Sequence, residues 1–250
     1  MIAFAAGFGE IRWQKTIGPS ESSPLLIGNR LYVADWDGRV WALDARTGRT
    51  IWKRRPARAA IKGAVSSTAG KLYVGSYDGH VYCLGAQKGR LIWKAKAQRR
   101  LYGRSRFYST PALAYGRLYV GSTDGKVYSY GATTGRLLWS HGTGGYVYAS
   151  PAVWNGLVFA GSYSKRFFAF DAATGDVRWS FRANGPISGS ATVIGNVVYF
   201  ATLAKRTYAL NARTGKQLWT FPDGKYTPVV AVQGRLFLVG LGTVYGMVPR

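Results

Sequence analysis

Apolar residues along this chain come in short runs, each cut by a turn signal, and the stretch from Ser109 to Trp139 shows the arrangement most clearly. Ala112 to Tyr115 is apolar, Gly116 turns the chain into Leu118-Tyr119-Val120, and Asp124-Gly125 turns it again into Val127 to Tyr130. Thr134-Gly135 then leads into Leu137-Leu138-Trp139. Asp-Gly and Thr-Gly pairs mark turns because glycine adopts positive φ without steric cost. Four strands rich in β-branched and aromatic residues, joined by short turns, predict one antiparallel meander. A sheet of that size cannot cover both faces alone, so it must stack on neighbours.

The meander repeats. Tryptophans that close a unit fall at Trp13, Trp52, Trp93, Trp139, Trp179 and Trp219, with gaps of 39, 41, 46, 40 and 40 residues. First-hairpin glycines fall at Gly28, Gly70, Gly116, Gly156, Gly195 and Gly234. The distance from glycine to the next tryptophan is always 23 or 24 residues, whereas the link from tryptophan to the next glycine varies from 15 to 23. The sheet is therefore the fixed module and the link carries the variation. Five modules are complete, and the sixth stops after three strands. This predicts an all-β, six-bladed β-propeller of four-stranded antiparallel blades in a single domain, residues 1–250. The blades are expected over 23–54, 64–95, 109–141, 149–181, 188–221 and 226–248. Glu10 to Gln14 is expected to pair with the last blade and close the ring, which would leave no exposed edge.

The segments ALDARTGRTIW at 42–52, FDAATGDVRW at 170–179 and LNARTGKQLW at 210–219, each after a strand such as LYVGSYDGHVY, resemble the pyrroloquinoline-quinone-like propeller repeat. The resemblance covers residues 10 to 248. That family contains quinoprotein dehydrogenases and an envelope scaffold propeller, so it implies the fold and leaves activity open. Dehydrogenases of the family hold calcium with carboxylate and amide ligands, use an Asp base and stack the quinone on a vicinal disulfide. Cys83 is the one cysteine here and no acidic ligand set can be placed, so no catalytic, metal or cofactor-binding residue is carried over and no cofactor is expected. The resemblance implies an extracytoplasmic location, in the periplasm or cell envelope, and a non-catalytic assembly role.

Composition agrees with a strand-and-turn protein: 250 residues, 15% aromatic, 33 glycines and 9 prolines. No apolar run is long enough to cross a bilayer as a helix, and the opening MIAFAAGFGE lacks the basic segment of a signal peptide. In the Thr-Gly turns, Asp44, Asp171 and Asn211 are placed to bond the backbone two residues on. Cys83 occupies the strand position held elsewhere by Ala42, Ser129, Ala169 and Ala209, which predicts a buried packing role.

Charge changes the picture more than composition does. There are 34 Lys and Arg against 10 Asp and Glu, a net charge of +24. An imbalance of that size favours anionic partners, although it also serves solubility. Asp37, Asp78 and Asp124 belong to hairpin turns, Glu10, Glu21, Asp35, Asp176 and Asp223 are scattered, and His80 and His141 stand alone, so neither an acid–base pair nor a metal spacing is apparent.

The bases cluster. No acid separates Asp44 from Asp78, a stretch holding Arg54, Arg55, Arg58 and Lys62. None separates Asp78 from Asp124, where Lys94, Lys96, Arg99, Arg100, Arg104 and Arg106 are expected in the longest link beside Tyr102, Phe107 and Tyr108. In a four-stranded blade this link and the turn between strands two and three leave the same end. At those turns Ser164-Lys165-Arg166 and Ala204-Lys205-Arg206 put Lys where Gly125 stands after Asp124 in blade three. If the backbone is kept, each Lys sits in the left-handed region at a cost of ~1 kcal/mol or more. Trp36, Tyr77 and Tyr163 precede the turns, and Tyr146 and Tyr148 lie in the link HGTGGYVYAS. Rings among cations can stack sugars or bases while the cations meet anionic groups, and rings in loops also pad loop against loop.

Together these residues predict a monomeric, non-enzymatic binding or scaffold propeller that engages an acidic protein or anionic polymer through a basic, aromatic loop face. A glycan- or polyanion-binding module, nucleic acid included, and a degenerate quinoprotein oxidoreductase are the alternatives.

Overall fold

The computed structural model describes residues 1–98, 105–226, 229–232, 234–240 and 242–247. The chain divides into two compact units, Met1–Pro111 and Ala112–Arg250.

The first unit holds two propeller blades. Blade one runs through Leu25–Ile27, Arg30–Ala34, Val40–Asp44 and Thr50–Arg54, and blade two through Ser66–Thr68, Lys71–Gly75, His80–Gly85 and Leu91–Lys96. The second unit holds blade three (Ala112–Ala114, Arg117–Gly121, Lys126–Gly131, Leu137–Gly142) and blade four (Ala152–Trp154, Leu157–Gly161, Arg166–Asp171, Val177–Arg182). Blade five follows (Thr192–Ile194, Val197–Thr202, Arg206–Asn211, Gln217–Phe221), and then a three-stranded sheet (Val230–Val232, Arg235–Val239, Val244–Met247). Every pairing is antiparallel between consecutive strands, as a meander requires. The first hairpin turns at paired left-handed residues such as Tyr115 (φ 53) and Gly116 (φ 67), the geometry that matches strand twist.

Burial within a blade explains the sequence pattern. The second and third strands are apolar on both faces, as in Leu72-Tyr73-Val74 and Val81-Tyr82-Cys83-Leu84, and within the first unit one of those faces packs on blade one, where Leu72, Val74, Tyr82 and Leu84 join Tyr32, Ala42 and Trp52. The fourth strand is an edge: of Thr50–Arg54 only Trp52 is buried. Trp52, Trp139 and Trp179 each lie on the glycine of the next Thr-Gly-type turn. A Cβ on Gly89 would come within 2.7 Å of the Trp52 ring, and one on Gly215 within 2.7 Å of Trp179. The indole Nε1 donates to the next blade's turn, Trp52 to Ala86 O at 3.0 Å and Trp179 to Ala212 O at 3.1 Å.

The N-terminal strand departs from expectation. Ile11–Gln14 pairs with Ile2–Phe4 in a two-stranded sheet, and the last sheet has three strands among the described residues. Ala5 N–H donates to Glu10 O at 2.8 Å and Gly9 takes φ 70, so the glycine-containing segment between them closes a local hairpin. A short loop costs less closure entropy than pairing with a strand more than two hundred residues away in sequence. Trp13 nonetheless keeps the seam role, lying on Gly48 with Nε1 donating to Ala45 O at 3.0 Å.

Candidate functional site

The links between blades and the turns between strands two and three meet at one edge of each unit, bound by backbone hydrogen bonds. In the first unit Ala57 N–H donates to Gly38 O, Tyr77 N–H to Ala60 O at 2.9 Å and Phe107 N–H to Ser76 O at 3.0 Å. In the second unit Thr143 N–H donates to Gly125 O at 2.7 Å, Tyr163 N–H to Tyr146 O at 2.9 Å and Ala183 N–H to Lys165 O at 2.8 Å. The links after blades one, three and four are thus stitched to the turns on both sides of them. Side chains on this edge stand on a fixed lattice.

The first unit gathers Trp36, Lys62, Tyr77 and Arg106 from the sequence candidates. Lys62 Nζ stands 4.2 Å from the centroid of the Trp36 ring, 5.5 Å from Tyr77 and 5.9 Å from Tyr108, and it pairs with Glu21 Oε1 at 2.9 Å. Tyr108 Oη donates to the other Glu21 oxygen at 2.9 Å, while the Arg106 guanidinium lies 5.4 Å from the Tyr77 ring. Hydrogen bonding from Lys62 and Tyr108 holds the Glu21 carboxyl below its usual range against the opposing effect of burial. Arg54, Arg55 and Arg58 are exposed nearby in the chain, and Arg58 N–H is held by Asp78 Oδ2 at 2.8 Å. Lys94 and Lys96 lie on the fourth strand, opposite Tyr82 and His80, rather than in the link. The alternation there buries Ala95 and turns both lysines outward. Arg99, Arg100, Tyr102 and Arg104 lie outside the described residues.

In the second unit, Tyr146, Tyr148 and Tyr163 form a ring cluster with centroids 5.1 to 6.2 Å apart, and Tyr146 is half exposed. Tyr163 opens the turn that carries Lys165 and Arg166. Both lysines are left-handed, Lys165 at φ 65 and Lys205 at φ 56. The turn hydrogen bond is the one made by the glycines: Lys165 N–H to Ser162 O at 3.2 Å and Lys205 N–H to Thr202 O at 3.1 Å, against 3.1 Å for Gly125 to Ser122. The backbone is kept and lysine is placed where only glycine is free of strain. Arg166 and Arg206, next in each turn, are exposed.

Other titratable groups have structural work. Asp35 is fully buried and accepts from Trp41 Nε1 at 2.8 Å and from Arg39 N–H at 2.9 Å. Asp44, Asp171 and Asn211 accept from backbone N–H groups two and three residues on. Cys83 is buried between Tyr73 and Trp93 in the ladder, and burial pushes its thiol up to about 11. Among the described residues no group of three His, Cys, Asp or Glu side chains gathers. With a single, buried thiol and, among the described residues, no carboxylate cluster, the side chains do not fit a quinone–calcium site, and no redox step is derived from them.

A family model for outer membrane protein assembly factor BamB matches residues 1–69, 37–150 and 143–248. The chain belongs to the BamB family. BamB of Aliivibrio fischeri is 36% identical over 58 residues, which cover 18% of this chain and 15% of that protein. BamB of Vibrio cholerae is 32% identical over 66 residues, 22% of this chain and 17% of that protein. The solved structure of BamB from Moraxella catarrhalis has a TM-score of 0.77 at 22% identity, over 96% of this chain and 77% of that one. A quinohemoprotein alcohol dehydrogenase from Pseudomonas putida HK5 has a TM-score of 0.73 at 16% identity, over 88% and 50%. These structural likenesses establish the propeller fold shared by the BamB family and the dehydrogenases.

Two participants in the BamB-family chain's loop edge were not legible as such in its sequence. Glu21 stands 41 residues from Lys62 with no motif linking them. Arg182 stands directly across the ladder from Arg166, a pairing that becomes visible once the third and fourth strands of blade four are set in register.

Proposed function

We propose that this chain is a non-enzymatic scaffold of the cell envelope whose loop edge engages an acidic protein surface. The observation that carries the reading is the combination of exposed cations and rings on loops that backbone hydrogen bonds hold in place. Trp36 is 42% exposed and Tyr146 51% exposed, although each sits on the stitched edge of its unit. Large rings left in solvent on a fixed backbone, with Arg and Lys beside them, have the composition of interface anchors. The family's name, outer membrane protein assembly factor, supports both the envelope location and the assembly role. Acidic partners follow from the +24 charge, which also steers their approach.

The test is photo-crosslinking from single positions in envelope extracts. Crosslinkers at Trp36 and Tyr77 are expected to capture a common acidic protein, with capture falling as salt is raised. Crosslinkers at Tyr115 and Lys88, in turns at the opposite end of the strands, are expected to capture none. Equal capture from both sets, or capture only from the second, overturns the reading.

A further inference from the structure

Blades three, four and five allow an internal comparison at the same turn. In blade three Asp124 Oδ1 accepts from Lys126 N–H at 3.0 Å, and Gly125 takes the left-handed position at φ 82. In blade four these places are held by Ser164, Lys165 and Arg166, and in blade five by Ala204, Lys205 and Arg206. In both, Ser164 or Ala204 stands in place of the turn carboxylate and a lysine in place of the glycine, while the third place is a cation in all three blades.

The surroundings add to this charge. Arg166 faces Arg182 across the ladder, and like charges directly opposite destabilise a sheet. Arg166 Nη1 donates to Ser180 Oγ at 3.2 Å. Lys165, Arg166, Arg182, Lys205 and Arg206 are all exposed, and among the described residues none of them forms an ion pair. Asp171 and Asp176 lie at the far end of blade four, engaged with Arg178 and Thr174. Asp223 is held by Gly224 N–H at 2.7 Å and Tyr245 Oη at 3.0 Å. The two turns are joined through one link: Ala183 N–H donates to Lys165 O at 2.8 Å, Leu203 N–H to Pro186 O at 2.8 Å, and Asn184 Nδ2 to Ala204 O at 3.3 Å.

Three unfavourable terms therefore collect at one place: two left-handed lysines, a like-charged pair and a group of five unneutralised cations. A local rule broken repeatedly without an internal return marks a site where the return comes from outside. We propose that this cluster binds phosphate groups, one over each Lys-Arg turn, with a ligand oxygen taking the place that the Asp124 carboxylate fills in blade three. A carboxylate would bring one negative charge to each pair of cations. A phosphate brings up to two, with three oxygens disposed for both an ammonium and a guanidinium fork. The inference rests on the anion-binding reading of the loop edge and narrows it, for blades four and five, to phosphate. The same chemistry is offered by anionic lipid headgroups and by soluble polyphosphates.

Calorimetric titration of the full chain with inorganic tripolyphosphate tests the site, alongside flotation with phosphatidylcholine vesicles with and without phosphatidylglycerol. Tripolyphosphate is expected to bind with an affinity that weakens steeply with salt. The variant K165G/K205G is expected to lose at least about tenfold in affinity while melting higher, because glycine relieves the left-handed strain. Lost binding is then not lost folding. S164D/A204D, which restores the internal carboxylates, is expected to abolish binding. Flotation with the anionic vesicles alone, competed by tripolyphosphate, assigns a lipid headgroup, and tripolyphosphate binding without flotation assigns a soluble ligand. Undiminished affinity in K165G/K205G, or no binding of either probe, overturns the proposal. Equal affinity for a polyglutamate peptide overturns the phosphate assignment while leaving the acidic-partner reading standing. Loss of crosslinking at Trp36 and Tyr77 with phosphate binding intact has the reverse meaning.

Discussion

The loop edges of the two units are built on one backbone plan and end in opposite electrostatic states. In the first unit Lys62 is enclosed by Trp36, Tyr77 and Tyr108 and paired with Glu21, and the turns carry Asp37 and Asp78, which hold Arg39 and His80. In the second unit blades four and five have neither the turn acid nor the ring cage around their lysines. A caged, paired cation offers an aromatic surface and little free charge. An unpaired, strained one offers charge and gives up stability to do so. Net charge treats these as equal, yet they present different surfaces. The first edge suits a partner that brings apolar and acidic groups together, and the second suits concentrated anionic groups.

If the scaffolds beneath the two edges are equivalent, their seams carry equal loads, and breaking a seam has the largest expected effect. Trp52→Ala in the first unit and Trp179→Ala in the second each remove a ring from a glycine and an indole donor from a turn carbonyl, although Ala86 O keeps the hydrogen bond from Tyr32 Oη at 3.1 Å. Each is expected to cost about 3–5 kcal/mol in urea denaturation. A cost below about 1 kcal/mol in one unit alone would show that its blades are held differently.

The next effect separates the edges. Lys165→Gly and Lys205→Gly are each expected to stabilise the protein by about 1 kcal/mol, since the native backbone there is left-handed. The reverse change in the first unit, Gly79→Lys, is expected to cost at least as much, because φ is 81 and a Cβ would stand 2.9 Å from Ser105 O. Thermal melts of the three variants check this. A neutral result for both lysine variants would remove strain from the account of the second edge.

Much of this was legible in the sequence, and the limits are physical. The blades could be read because each repeats the same turn chemistry, and Thr-Gly and Asp-Gly turns are decided within a few residues. The left-handed lysines could be read for the same reason: Lys165 and Lys205 stand where Gly125 stands, and the turn hydrogen bond shows the backbone unchanged. The N-terminal pairing could not, because Ile2–Phe4 carries no repeat signature and competes as a strand only through the short loop that joins it to Ile11–Gln14. Nor could the Glu21 contact with Lys62, which depends on where two loops of different blades meet. Asp35 was legible as an acid but not as a buried acceptor for the Trp41 indole, since both belong to one hairpin whose interior the spacing does not reveal.

A smaller effect sharpens the contrast between caged and free lysines. Lys62→Met is expected to destabilise by about 1 kcal/mol, from loss of a partly exposed ion pair and of cation–π contact with Trp36. It should also shift Trp36 fluorescence. Lys165→Met, which keeps a side chain at the left-handed position and removes a charge with no partner, is expected to leave stability unchanged or slightly raised. Equal destabilisation by the two would mean that Lys165 has an internal partner after all.

The smallest effect is in pH. Asp171 is held at about 2, below its ordinary 3.8, first by the hydrogen bond from Arg178 and then by the N–H groups of Thr174 and Ala173. Because the folded value is the lower one, its contribution is complete above 3.8 and is lost as pH falls through that interval towards 2. Glu21 shifts in the same direction through Lys62 and Tyr108, so it also loses its contribution on acidification, below its ordinary 4.5. The melting temperature should therefore fall as pH is lowered through these ranges, and Asp171→Asn should flatten that fall while lowering the melting point at neutral pH by at most a few degrees, since the pair is solvated. Glu21→Gln should flatten it as well and, unlike Asp171→Asn, should loosen Lys62 and change Trp36 fluorescence at neutral pH. If instead the fluorescence of Trp36 responds to both variants, the Glu21–Lys62 cage is not the local device that distinguishes the first edge from the second.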